Sequence, residues 1–144
     1  MSEKENIKVA EQALAALNAH DVNKYVQLID DSYVGEAELG PGPIHGREGA
    51  RQRIGMLLTA FPDLRVEVEQ ILASGDHVVS RVRLTGTQKG NYAGVAPTNK
   101  SVSWQCCTVT EIRNGKAIRS RIYADNASLL QQIGALSLPK TTTA

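Results

Sequence analysis

The stretch "SVSWQCCTVTEIRNGKAIRSRIYA", Ser101 to Ala124, constrains the fold more than any other part of the chain. Two alternating segments flank Asn-Gly, the dipeptide that most readily takes the left-handed backbone of a two-residue hairpin turn. With Asn114 and Gly115 at the centre of the turn, Arg113 faces Lys116, and each step outward keeps the pairing. Thr108 then faces Arg121, Cys106 faces Tyr123, and Trp104 faces Asp125. Side chains alternate across a sheet, so these six share one face, and Cys107, Val109, Ile118 and Ile122 take the other. The register assumes no bulge. One extra residue on either strand would send everything beyond it to the opposite face.

Further strands are predicted upstream. "LRVEVEQILA" and "HVVSRVRLTGT" alternate apolar and polar residues, with the turn "SGD" between them. Three helices are predicted before them. The first covers residues 5–19, with Ile7, Ala10, Leu14 and Leu17 at three- and four-residue steps. A short second helix starts after Asp21, a favoured cap, and carries Val22, Tyr25, Val26 and Ile29. The third opens at Gly46, shows Ala50, Ile54, Leu57, Leu58 and Phe61 on one face, and stops at Pro62. The segment "DSYVGEAELGPGPIHG" reads as loop with a short strand around Tyr33. A last helix carries Leu129, Leu130 and Ile133 and ends at Gly134. Helices first, then an antiparallel sheet, define an α+β fold. Residues 1–137 read as one domain, and residues 138–144 as a frayed tail.

The bulk numbers exclude several functions. Sixteen basic and fifteen acidic residues leave a formal charge of +1, so no basic field offers itself to nucleic acid or to an acidic membrane. The polar start "MSEKENIKVAEQ" is unlike a signal peptide, and no apolar run is long enough to span a bilayer. Cys106 and Cys107 are neighbours in sequence and imply no disulfide framework, so a reduced, cytoplasmic setting is expected. His20, His45 and His77 match no zinc spacing, and no glycine-rich phosphate loop offers a cofactor a seat.

Asp125 is the carboxylate that invites a chemical reading. In the hairpin register it sits among Trp104, Cys106 and Tyr123, a neighbourhood that disfavours charge and suits a proton shuttle. It also immediately precedes a helix, where aspartate is a favoured cap and the helix amides favour the charged form. Asn126 is an alternative cap that would free it. Both readings stay open at this point. No second carboxylate joins the set, so two-carboxylate glycosidase chemistry finds no support. Trp104 suits a core position as well as a substrate platform. The cysteines suit small buried hydrophobes, because the register places no histidine or lysine to activate them. Arg81 and Arg83 alternate with Val82 and Leu84 and suit a solvated or interface face; turned inward, either could bind a polar substrate.

Four stretches carry a resemblance: "IHGREGARQRI", "FPDLRVEVEQILASGDHVVSRVRLTGTQKG", "YAGVAPTNKSV" and "IRNGKAIRSRIYADNASLLQQIG". Together they run from about His45 to Gly134, and the order of elements resembles the NTF2-like fold, a cone of curved mixed or antiparallel sheet packed against N-terminal helices. More narrowly, the chain resembles the SnoaL-like polyketide cyclases. The resemblance implies a homodimer with one cavity per subunit, binding a small apolar molecule and using no metal or organic cofactor. It implies ring closure by intramolecular aldol condensation, with an aspartate at the end of the last long strand as acid/base, which falls on Asp125. Trp104, Cys106, Thr108, Tyr123, Tyr33 and His45 become the expected substrate lining. The chain departs from the cyclase pattern at Thr108 and Cys106, where those enzymes place a histidine and a glutamine, at Gly35 for an asparagine, and at Tyr123 for a tryptophan. Hydroxylase-like relatives from aromatic polyketide pathways share the scaffold.

Three functions are weighed on this basis. The first is a cofactor-free enzyme that removes a proton beside a carbonyl, after which the enolate cyclises, isomerises or is oxidised, with Thr108 bonding the developing oxyanion. The second is an epoxide hydrolase of the limonene type, needing an Asp–Arg–Asp relay. The third is a non-enzymatic dimer that binds an apolar ligand.

Overall fold

A computed structural model describes residues 2–40 and 42–139. Helix α1 spans Glu3–Asn18, with Ser2 Oγ accepting the Glu5 N–H at 3.1 Å as its cap. Helix α2 spans Val22–Gln27 and is capped by Asp21. Strand β1 runs Ile29–Ala37 and the short β2 Ile44–His45, and α3 follows at Gly46–Ala60. Then come β3 at Arg65–Ser74, β4 at His77–Thr87, β5 at Ser101–Arg113, β6 at Lys116–Ala124 and α4 at Asn126–Gln132. The α+β expectation holds. Residues 140–144 of the expected frayed tail lie outside the described residues.

The six strands form one mixed sheet in the order β2-β1-β6-β5-β4-β3. All neighbours are antiparallel except β1 and β6, which run parallel. Two sequence expectations change here. Ile29 belongs to β1, not to the second helix, and β1 is nine residues long rather than a short strand around Tyr33. Its polar sequence, "IDDSYVGEA", has little strand character of its own; pairing with β2 on one edge and β6 on the other holds it extended.

The helices cover one face of the sheet. Phe61, Leu64, Val82, Leu84, Val102, Trp104 and Leu129 form the largest buried cluster. Full burial of side chains such as Phe61 and Leu64 contributes roughly 1.5–3 kcal/mol each. Phe61 is its hub, with the Trp104 ring centroid at 5.0 Å and that of Tyr92 at 5.4 Å. Tyr92 arrives on the long β4–β5 loop. Buried Gln88 ties that loop together: its amide nitrogen lies 3.1 Å from the Val95 carbonyl and 3.2 Å from that of Ala96, and its carbonyl accepts the Thr98 hydroxyl at 2.7 Å.

The hairpin turn forms as expected. Asn114 and Gly115 both have positive φ, 53° and 78°, and Arg113 pairs with Lys116. The register beyond it does not hold. Ile112 pairs with Ala117 but Glu111 pairs with Arg119, so Ile118 is an extra residue on β6. Beyond this bulge Thr108 pairs with Ile122, Cys107 with Tyr123 and Cys106 with Ala124. The expected pairs Thr108–Arg121, Cys106–Tyr123 and Trp104–Asp125 are thereby overturned, with Asp125 lying opposite Gln105 instead, and Ile122 moves to the inner face. The physical reason is charge. Unbroken alternation from buried Ala117 would have turned Arg119 and Arg121 into the core, where unpaired guanidinium groups are costly. The bulge turns Ser120, Ile122 and Ala124 inward instead.

Candidate active site

Trp104, Cys106 and Thr108 line the inner wall of β5, next to Ile122 and Ala124 of β6. Trp104 is buried against Phe61, and Cys106 is buried with its sulfur 3.9 Å from the Thr108 hydroxyl. Burial pushes the Cys106 thiol up, which suits an inert side chain rather than a nucleophile. Tyr33, from β1, is buried in a separate cluster with Ile29, Ala50 and Ala117. These four expected lining residues therefore face the interior.

The other two, Tyr123 and His45, and the expected acid/base Asp125 do not. Tyr123 lies on the outer face, 47% exposed, with the Arg121 guanidinium 5.3 Å from its ring centroid. His45 is exposed at the start of α3, and its side chain makes no capping bond. Asp125 sits at the rim, exposed, where β6 becomes α4. Its backbone N–H donates to the Gln105 carbonyl at 2.9 Å, and its Oδ1 accepts the Ser128 N–H at 3.1 Å, so it is the cap of α4. Oδ2 accepts no hydrogen bond among the described residues and remains open to solvent. The Asn126 side chain, the alternative cap, instead donates to Glu38 at 3.3 Å. Glu38 thus brings a second carboxylate to the rim that the hairpin argument had not located.

Arg81 and Arg83 face outward. Their guanidinium groups lie 3.6 and 3.8 Å from Glu69, and Gln105 donates to the same carboxylate at 2.9 Å. Neither enters the interior, so the arginine of an epoxide-hydrolase relay is not theirs to supply.

A polar cluster missed by the sequence argument lies between α2, α3 and β1. Arg53 of α3 donates to the Tyr33 hydroxyl at 3.0 Å, and the same hydroxyl is hydrogen-bonded to Ser120 of β6. The Tyr25 hydroxyl of α2 interacts with Arg53 as well. Burial, and secondarily the neighbouring Tyr33, pushes the Tyr25 phenol up to about 12. Burial alone would lower Arg53, but the two phenols beside it outweigh that and raise it. A signal existed in the sequence: Arg53 follows Ala50 by three and precedes Leu57 by four, on the apolar stripe of its own helix.

Among the described residues no group of three or more histidine, cysteine or acidic side chains is placed to hold a metal. No described helix is long and apolar enough to cross a membrane.

The architecture, a curved mixed sheet whose helix-covered face meets a polar rim, defines the NTF2-like class of α+β cones. The sequence matches the SnoaL-like polyketide cyclase family over residues 7–133, and the chain belongs to that family. Among solved structures it is similar to AclR from Streptomyces galilaeus, described as a candidate hydroxylase, at 28% identity, 96% coverage of this chain and 87% of that one, with a TM-score of 0.84. A SnoaL-like polyketide cyclase candidate from Jannaschia sp. CCS1 is similar at 25% identity, 94% and 95% coverage and a TM-score of 0.84. IdmH from Streptomyces antibioticus, a candidate polyketide cyclase, is similar at 26% identity, 90% and 98% coverage and a TM-score of 0.77. No protein of curated function matches the chain.

Proposed function

We propose that the protein is a cofactor-free acid/base enzyme of the polyketide cyclase type, acting on a small apolar carbonyl compound. Asp125 removes a proton from the carbon beside the carbonyl, and the enolate then cyclises or isomerises. The observation that carries this reading is the free oxygen of Asp125. One oxygen is spent on the α4 cap, which fixes the carboxylate in place, and the other is open at the rim. Trp104, Cys106 and Ile122 supply an apolar inner face to the sheet, and the Thr108 hydroxyl on that face is assigned to a developing oxyanion. Membership of the cyclase family and the likeness to IdmH support the carbonyl chemistry. The working unit is taken to be a homodimer.

The test is Asp125→Asn. Asparagine is as good a helix cap as aspartate, so the fold is kept while the base is lost. Proton–deuterium exchange of 1,3-dicarbonyl and polycyclic ketone substrates would be followed by NMR. A fall of about 10²–10⁴ in exchange rate is expected for loss of a general base. Unchanged exchange would leave Asp125 as a cap alone. One observation favours the rival reading of a non-enzymatic ligand-binding dimer: the capping role already accounts for Asp125 without chemistry.

A further inference from the structure

Arg53 is a half-buried cation with no carboxylate paired to it among the described residues. Among the described residues it makes no ion pair, although six other arginines do. Its neighbours are the Tyr33 hydroxyl, which accepts its hydrogen bond, and the Tyr25 phenol, which burial holds in the neutral form. A guanidinium has five N–H donors, and two phenol oxygens leave part of that set uncommitted. Burying a charge without a counter-charge is costly.

The chain also makes room for this group. Gly35 of β1 lies directly under it. A Cβ built there would stand 2.8 Å from Arg53 Nη1 and 2.6 Å from the Tyr33 hydroxyl, closer than any side chain allows. Glycine at this position therefore admits the guanidinium to the inner face. From there it senses the β5 wall: the Cys106 thiol is influenced by Arg53 and also by Glu38 at the rim.

We propose that Arg53, held by Tyr33 beside Tyr25 and over Gly35, is the anchor for a carboxylate of the ligand. The ligand supplies the missing counter-charge, and the fork of the guanidinium matches two oxygens in one plane. This deepens the proposed function and rests on the helix-covered interior being the ligand site. It also bears on ligand shape. Gly35 pairs Ser120 across β1 and β6, and five residues of strand, roughly 17 Å, separate Ser120 from Asp125. A ligand engaging both ends is elongated, with several rings rather than one.

The experiment uses benzoate and benzamide, which share shape and size and differ in charge. Each is titrated into the ¹⁵N-labelled protein while the Arg53 Nε–H signal, assigned with Arg53→Lys, is followed by NMR. Saturable shifts with benzoate are expected, with benzamide binding at least tenfold more weakly. Arg53→Met should abolish the difference while the melting temperature is kept or raised, because replacing an unpaired enclosed charge by an apolar chain relieves its desolvation. An arginine with only a structural role would lower the melting temperature instead. Gly35→Ala should weaken benzoate by displacing the guanidinium. Equal binding of the two probes, benzoate preference that survives in Arg53→Met, or no saturable shift in the folded wild type would each overturn the proposal. The wild-type titration decides even if a variant misfolds. Asp125→Asn separates this inference from the reading beneath it, since it should leave the benzoate preference intact. Benzoate held by Arg53 alongside undiminished exchange chemistry in Asp125→Asn would keep the anchor and remove the base.

Discussion

At the scale of single residues, two polar side chains stand where apolar ones would be cheaper. Tyr25 and Arg53 sit on helix faces turned to the core, where Arg53 donates to the Tyr33 hydroxyl and stands beside the Tyr25 phenol. This has a consequence in alkali. Burial penalises the Tyr25 phenolate, so its folded pKa of about 12 lies above the ordinary 10.0. The stability tied to the neutral phenol is complete below pH 10 and is lost as pH rises towards 12, because only the unfolded chain can ionise Tyr25 in that window. The loss should be on the order of 2 kcal/mol. Absorbance at 295 nm should show a late-titrating tyrosine that disappears in Tyr25→Phe. If all four tyrosines titrate together near their ordinary value in the folded protein, the cluster is open to water. Arg53 was legible in principle, as a charge on an apolar stripe. Its phenol partners were not, because Tyr33 is 20 residues away in sequence and on a different element.

At the scale of elements, the Ile118 bulge decides what the sheet presents. The turn chemistry of Asn114 and Gly115 is local and was readable; the bulge answers a demand from the core. Removing Ile118 would make the pairing strict while keeping Glu111 opposite Arg119, so Arg119 and Arg121 would still face outward. That deletion should therefore keep cooperative thermal unfolding by circular dichroism, and loss of the transition would show that the bulge does more than turn the arginines outward. The β4–β5 loop offers a second test. Gln88→Leu keeps the volume but orphans the Thr98 hydroxyl and the loop carbonyls that Gln88 holds. A destabilisation of about 3 kcal/mol in urea unfolding is expected for a lost buried network. A cost near zero would mean water replaces the amide. The "GVAPT" stretch lies in this loop, and nothing in its own composition reveals that a glutamine several residues upstream organises it.

At the scale of the whole molecule, the parallel contact of β1 with β6 closes the cone. It brings the α2–α3 layer over the inner face and leaves the outer face with Glu69, Arg81, Arg83, Arg121 and Tyr123 exposed or half-exposed. Tyr123, expected in the pocket, stands on that outer face. If the protein is the proposed homodimer and this sheet face is its contact, sedimentation equilibrium should give twice the chain mass, and Tyr123→Glu should shift the population to monomer. A wild-type monomer at high micromolar concentration would remove both the dimer and this role for Tyr123.

The sequence by itself determined the helices, the four long strands, the hairpin turn and the cap signal at Asp125, because each depends on residues a few positions apart: a period of two or 3.6, a left-handed dipeptide, a side-chain oxygen near free amides. The register beyond Ile118, the length of β1, and the meeting of Arg53 with Tyr25, Tyr33 and Ser120 were decided only in the tertiary structure. The reason is the same in each case. These features minimise the cost of charge and unpaired backbone in a shared interior, and that interior exists only once distant segments have packed.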